Sequence, residues 1–137
     1  GATMTFPGWK KMAAAETEWL VHTLVHVAWV DGRIAPVEVA LIERVMLAAD
    51  WSEPQVKAVR RMMDGRDPKP ELKPPPATLA YEGKVRVFQE VVELVFADNR
   101  LDKVEQDVVM KVANRLGLHL SDMQTIWTRA KRQHEQA

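Results

Sequence analysis

Shifted against itself by 67 positions, the chain matches Asp31 with Asp98, Gly32 with Asn99, Arg33 with Arg100, Ile34 with Leu101 and Glu38 with Glu105. Behind this polar signature Leu41, Ile42 and Val45 fall on Val108, Val109 and Val112, an apolar spacing of three and four that marks one face of a helix. A shared signature followed by a shared helical face indicates an internal duplication. At 137 residues the whole has the size of one ordinary domain, long enough to bury a core without metal or disulfide staples. One unit over 1–137 is expected, with repeat one at about 16–63, repeat two at about 79–135 and a linker at 64–78 that holds five of the eight prolines and cannot be helical.

The punctuation inside each copy is helical. Ser52 and Ser121 each offer a hydroxyl with Gln three residues on, the capping-box spacing, and Asp102 with Glu105 makes a third box. Pro54 falls inside a first turn, where its missing N–H costs little, and Gly117 is placed as a stop. Apolar residues run at helical spacing through 16–30, 36–49, 54–63, 79–97, 103–116 and 122–131, and no segment alternates like a strand. The expected fold is all-α, an internally duplicated helical bundle of about six to seven helices with pseudo-two-fold symmetry, the seventh being a short helix at 7–15.

Charge and composition narrow the function classes. Lys plus Arg and Asp plus Glu balance at 19 each, so there is no global footprint for nucleic acid or an anionic membrane. The apolar run from Trp19 to Val30 is about half of the roughly 20 residues that span a bilayer and contains two His, so it reads as a buried helix and not as a membrane insertion. The absence of cysteine removes disulfides, thiolate metal sites and thiol nucleophiles, and fits a cytoplasmic setting. There is no signal-peptide pattern, and Gly1 to Thr3 ahead of Met4 reads as foreign to the natural start. Both serines are accounted for as caps and there is no glycine-rich phosphate loop, so catalysis is not expected.

The stretch Asp31-Gly32-Arg33-Ile34 with Glu38 imitates the second half of an EF-hand calcium loop, with Glu38 as the terminal bidentate ligand. The first half must supply oxygens at two earlier alternate positions. Those positions hold Val27 and Trp29 in copy one and Leu94 and Phe96 in copy two, which excludes an ordinary EF-hand in both. Helix punctuation accounts for most of the signature instead. Gly32 and Asn99 are the residue types that tolerate the left-handed conformation of a helix stop, Ile34 staples onto Val39, Pro36 opens the next helix, and Glu38 or Glu105 at its third position reaches back to a free N–H. Asp31 and Asp98 stand at helix C-termini, where the dipole disfavours an anion by roughly 0.3–1 kcal/mol, so compensation is required from Arg33 and Arg100 or from a cation bridging Asp and Glu.

A helix ending in Val30-Asp31-Gly32 or Ala97-Asp98-Asn99, an aliphatic residue two positions on and then Glu, duplicated along a small helical chain, resembles the TerB family of tellurite-resistance proteins and the related domain of DnaJ-type co-chaperones. The matching residues are 30–38 and 97–105, within a duplication that covers most of the chain. The resemblance implies a compact all-helical bundle, a set of acidic residues suspected of binding a divalent metal, here Asp31, Glu38, Asp98 and Glu105, and a role in a bacterial stress-response assembly without established catalysis. Asn99 stands where the family usually has Gly, and the proline-rich linker is a further departure.

His22 and His26 lie four apart on one helix, a metal-binding spacing, and the offset maps them onto Gln89 and Glu93. If the two long helices pack around a pseudo-dyad, His22, His26 and Glu93 form a secondary candidate site. The simpler account is that His22, Thr23 and His26 are the one polar stripe of an apolar helix, facing water or a neighbour. Among the five tryptophans, Trp9 in its proline-glycine context is the one expected to meet a partner. The expected partner is a protein, homodimerisation stays open, and no cofactor is required beyond the suspected metal.

Overall fold

In the computed structural model, residues 12–97 and 103–136 are described, and they form six helices with no strand among them. These are α1 (Ala14–Ala28), α2 (Pro36–Ala48), α3 (Glu53–Met63), α4 (Tyr81–Ala97), α5 (Lys103–Leu116) and α6 (Leu120–Gln136). Trp9, Asp98, Asn99 and Asp102 lie outside the described residues. So does most of the expected seventh helix, whose Ala14 and Ala15 belong to α1.

Helices α1 and α4 are the apolar elements and take the centre. Leu20, Val21, Leu24 and Val25 of α1, and Val87, Val91, Val92, Leu94 and Val95 of α4, are shut off completely from solvent. A helix that is apolar on most sides must be surrounded, and α4 packs on α1, α2, α5 and α6, whereas α1 packs on α2, α3, α4 and α5. Exchanging α1 with α4, α2 with α5 and α3 with α6 turns the pair α1·α2 into α4·α5, α1·α3 into α4·α6 and α2·α4 into α1·α5. A duplicated unit would give these three correspondences, although α2·α3 has no equally close counterpart in α5·α6, and the case for the duplication itself rests on the sequence.

Helix ends follow the chemistry of their caps. The side chains of Glu16, Glu38 and Gln55, each at the third position of its helix, accept a hydrogen bond from the backbone N–H of Ala13 (2.9 Å), Ala35 (2.8 Å) and Ser52 (2.9 Å). Ser121 departs from expectation. Helix α6 starts two residues earlier, with His119 supplying the first carbonyls, and Tyr81 takes the capping role: its hydroxyl accepts from His119 N (3.1 Å) and donates to Asp122 Oδ2 (2.5 Å). A side chain 38 residues away in sequence thus overrides the local box.

Gly32 and Gly117 adopt φ of 89° and 67°, as expected of helix stops. The stop after α2 uses Asp50 at φ 58°, the one left-handed non-glycine among the described residues, with Trp51 N donating to Met46 O at 3.1 Å. An L-residue there is strained by roughly 1–2 kcal/mol, and an anion at a helix C-terminus is disfavoured as well. Asp50→Gly is therefore expected to raise stability by about 0.5–1 kcal/mol, since glycine's extra freedom in the unfolded chain offsets part of the gain. Thermal unfolding of the two proteins checks this, and a lower midpoint in the variant would refute it.

The linker is an ordered strap along α1. Trp29 Nε1 donates to Met62 O (3.0 Å), His26 Nδ1 lies 2.9 Å from Pro70 O, Trp19 Nε1 donates to Lys73 O (2.8 Å), and Thr78 Oγ1 donates to Glu16 Oε2 (2.6 Å). From His26 to Glu16 the partners descend α1 while the strap ascends from 70 to 78, so the two run antiparallel; the Trp29–Met62 bond instead ties the end of α1 to α3. Five prolines remove backbone donors and hold the strap extended. The carbonyls that this frees are the acceptors that the α1 side chains use.

Candidate functional site

The first acidic turn is built as a helix connection. Asp31 is exposed, three residues past the end of α1, and its Oδ1 accepts from Arg33 N at 3.3 Å within its own turn. Glu38 is only 3% exposed because its carboxylate turns inward to cap α2 through Ala35. Glu105 is equally buried at the third position of α5. Asp98 lies outside the described residues. Among the described residues no three His, Asp or Glu side chains come together as ligands for a metal ion.

The secondary candidates separate. His26 faces the strap through Pro70, and His22 is influenced by Glu18 and by Lys73 of the same strap. Burial lowers the His22 pKa, Glu18 opposes this and Lys73 adds to it, so His22 is neutral at pH 7. Glu93 is exposed on α4 and accepts from Arg44 Nη2 of α2 at 2.9 Å. The helices that were expected to bring His22, His26 and Glu93 together instead give each a different neighbour. Of the polar stripe of α1, His26 bonds the strap through Pro70 O and Thr23 bonds back to its own helix.

A different group stands out. Glu90, in the middle of α4, is 2% exposed, and its Oε1 has no donor within hydrogen-bond distance. Arg44 Nη2 lies 4.0 Å from Oε1 and Arg86 Nη1 lies 4.0 Å from Oε2, close enough for attraction but too long for hydrogen bonds. Burial pushes the Glu90 pKa up to about 7, with a further push from Glu93, while Arg44 and Arg86 pull the other way. The residue lines an open groove of about 560 Å³ between α4 and α6, bounded by Leu41 of α2. Phe96 and Ile126 form its apolar floor, and Arg86 and Arg129 flank it. An incompletely satisfied carboxylate at the bottom of a groove is costly to keep and is a mark of a functional site.

Periodicity alone contained the signal for Glu90. It shares a helical face with Val87, Val91 and Leu94, at spacings of three, one and four, and that face is core. The 67-residue offset places Glu90 on Thr23, which is also buried but returns its hydroxyl to Trp19 O of its own helix at 2.8 Å. Glutamate at the equivalent position makes no such bond from Oε1.

The fold and groove define a helical-bundle protein with a buried, titratable carboxylate at an open inter-helix cleft. Neither a protein-family model, nor a curated protein, nor a solved structure matches the chain.

Proposed function

We propose that the chain is a non-catalytic binding or sensing module of the TerB-like kind, and that its ligand-binding site is the α4–α6 groove around Glu90. The motif at 30–38 and 97–105 supports the family, and the all-helical fold is the class that the resemblance implies. The single observation that carries the choice of site is the Glu90 oxygen, buried at a groove with no hydrogen-bond donor. A bacterial stress-response setting follows from the resemblance. Paired-carboxylate catalysis is disfavoured because Glu93, the nearest second carboxylate, is held by Arg44 at 2.9 Å.

The acidic turns are helix punctuation in this reading. The observation that favours punctuation over a metal site is the inward Glu38 cap, which occupies a carboxylate oxygen that a bidentate ligand would need. Two measurements test the proposal. Amide resonances of the labelled protein, followed against a panel of small carboxylates, amines and guanidines, are expected to shift saturably at Gln89, Phe96 and Ala130, and a groove silent to the whole panel would overturn it. After stripping with chelator, calcium, magnesium, manganese and zinc are expected to leave the thermal midpoint and tryptophan fluorescence unchanged. A saturable rise with one ion that Asp31→Asn/Asp98→Asn abolishes would reassign the turns as a metal site, because only a ligand that prefers the folded state raises the midpoint.

A further inference from the structure

Glu90 stands where the anion of a ligand would stand. Two guanidinium groups from different helices approach it to 4.0 Å, too far for either to donate a hydrogen bond to it. Arg44 is drawn off toward Glu93 at 2.9 Å, which leaves Arg86 and Arg129 facing the cleft. From α2 the buried carboxylate faces Arg44 and from its own helix Arg86 and Glu93, while Arg129 and His134 of α6 line the same groove. Helices α1 and α5, which also pack on α4, put no charged side chain into the groove.

We infer that the α4–α6 groove takes a small organic acid, its carboxylate pairing with Arg86 and Arg129 and accepting a hydrogen bond from protonated Glu90, its apolar stem lying on Phe96 and Ile126. The inference rests on the groove being the binding site. Binding draws a proton from solvent onto whatever fraction of Glu90 is ionised, about half at pH 7 and nearly all at pH 8: the carboxylate that balanced the arginines becomes a neutral donor, and the charge of the ligand replaces it. At neutral pH that proton is readily available, because burial has brought Glu90 to the middle of its titration. An ammonium ligand is disfavoured by the Arg44 guanidinium 4.0 Å from the orphaned oxygen. Phosphate gains nothing from the apolar floor.

Titration calorimetry with hexanoate, at pH 6 and pH 8 and in two buffers of different ionisation heat, tests this. Since Glu90 titrates at about 7, about ten times more of the free protein carries the proton at pH 6 than at pH 8, so affinity is expected to be about tenfold higher at pH 6, with net proton uptake. Glu90→Gln, always neutral and still a donor, is expected to bind with no pH dependence. Arg86→Gln is expected to lose at least tenfold in affinity at both pH values, and Arg129→Gln, on an exposed position where folding is not at stake, a smaller factor. Hexanamide, hexylamine and inorganic phosphate serve as controls. No hexanoate binding at pH 6, equal binding at both pH values, or binding indifferent to both arginine variants overturns the inference. Hexylamine shifting the groove in place of hexanoate would overturn it too, while leaving the groove as the binding site. Silence to every compound would overturn both.

Discussion

Glu90→Gln is expected to make the protein more stable at pH 8 by about 2–3 kcal/mol and to change it little at pH 5. The folded chain holds the Glu90 proton up to about pH 7, against an ordinary value of 4.5 in the unfolded chain. Between those two values the folded state binds more protons than the unfolded state, so stability falls as pH rises. The loss begins as pH climbs past 4.5 and is complete above 7. A separation of this size corresponds to about 3 kcal/mol at roughly 1.36 kcal/mol per pH unit. Glutamine cannot ionise, so the variant omits this loss. The other titrating groups are common to both proteins and cancel in the comparison. Urea unfolding of wild type and variant at pH 5, 6, 7 and 8 measures the difference directly. Parallel stability curves for the two proteins would show that Glu90 ionises no differently folded than unfolded, and would remove the electrostatic basis of the groove with it. Glu90→Met extends the comparison, because replacing a buried charge by an apolar side chain of similar length is often neutral or stabilising by about 1–4 kcal/mol.

How much of this was legible in the sequence depends on the range over which each feature is decided. Helices α2 and α5 begin at Pro36 and Lys103 as their local signals indicate, because a proline at the first position and a glutamate at the third act within one turn. The end of α5 at Leu116 is likewise set locally, by Gly117 in the left-handed region. The start of α6 was not legible, since the competing cap comes from Tyr81 at the head of α4, and no local window contains both. In the first acidic turn the punctuation is legible, Glu38 reaching back to Ala35 as its spacing requires. The groove was missed for a related reason. The burial of Glu90 shows in the period of α4, but the open groove beside it, with Arg86 of α4 and Arg129 and Ile126 of α6, is assembled by tertiary packing alone. The strap shows the same limit. Its prolines exclude a helix, but nothing local predicts that its carbonyls would be the acceptors for Trp19 and His26.

Trp19→Ala should be the most damaging single change along that strap, costing about 3–5 kcal/mol. The ring is 8% exposed and packs in the core cluster, so truncation removes a large apolar surface and leaves a void that neighbours fill only in part. It also removes the indole N–H that donates to Lys73 O at 2.8 Å, whose own share is about 1 kcal/mol. Trp19→Phe separates the two contributions: most of the packing stays and only the donor goes, so its expected cost is nearer 1–2 kcal/mol. The same pair reports on the strap. Leu72 is partly buried against the core with Lys73 beside it, so in the wild type the Glu71–Leu72 bond is held against α1. A protease that cuts after glutamate is expected to spare this bond in the wild type, to cleave it slowly in Trp19→Phe and to cleave it readily in Trp19→Ala under conditions where the protein is still folded. Glu16–Thr78 and His26–Pro70 still tether the strap on either side of Lys73 in both variants, so faster cleavage there would report local release and not global unfolding. Equal resistance in all three proteins would mean that the outer tethers suffice, and that the contribution of Trp19 is confined to the core beneath the strap.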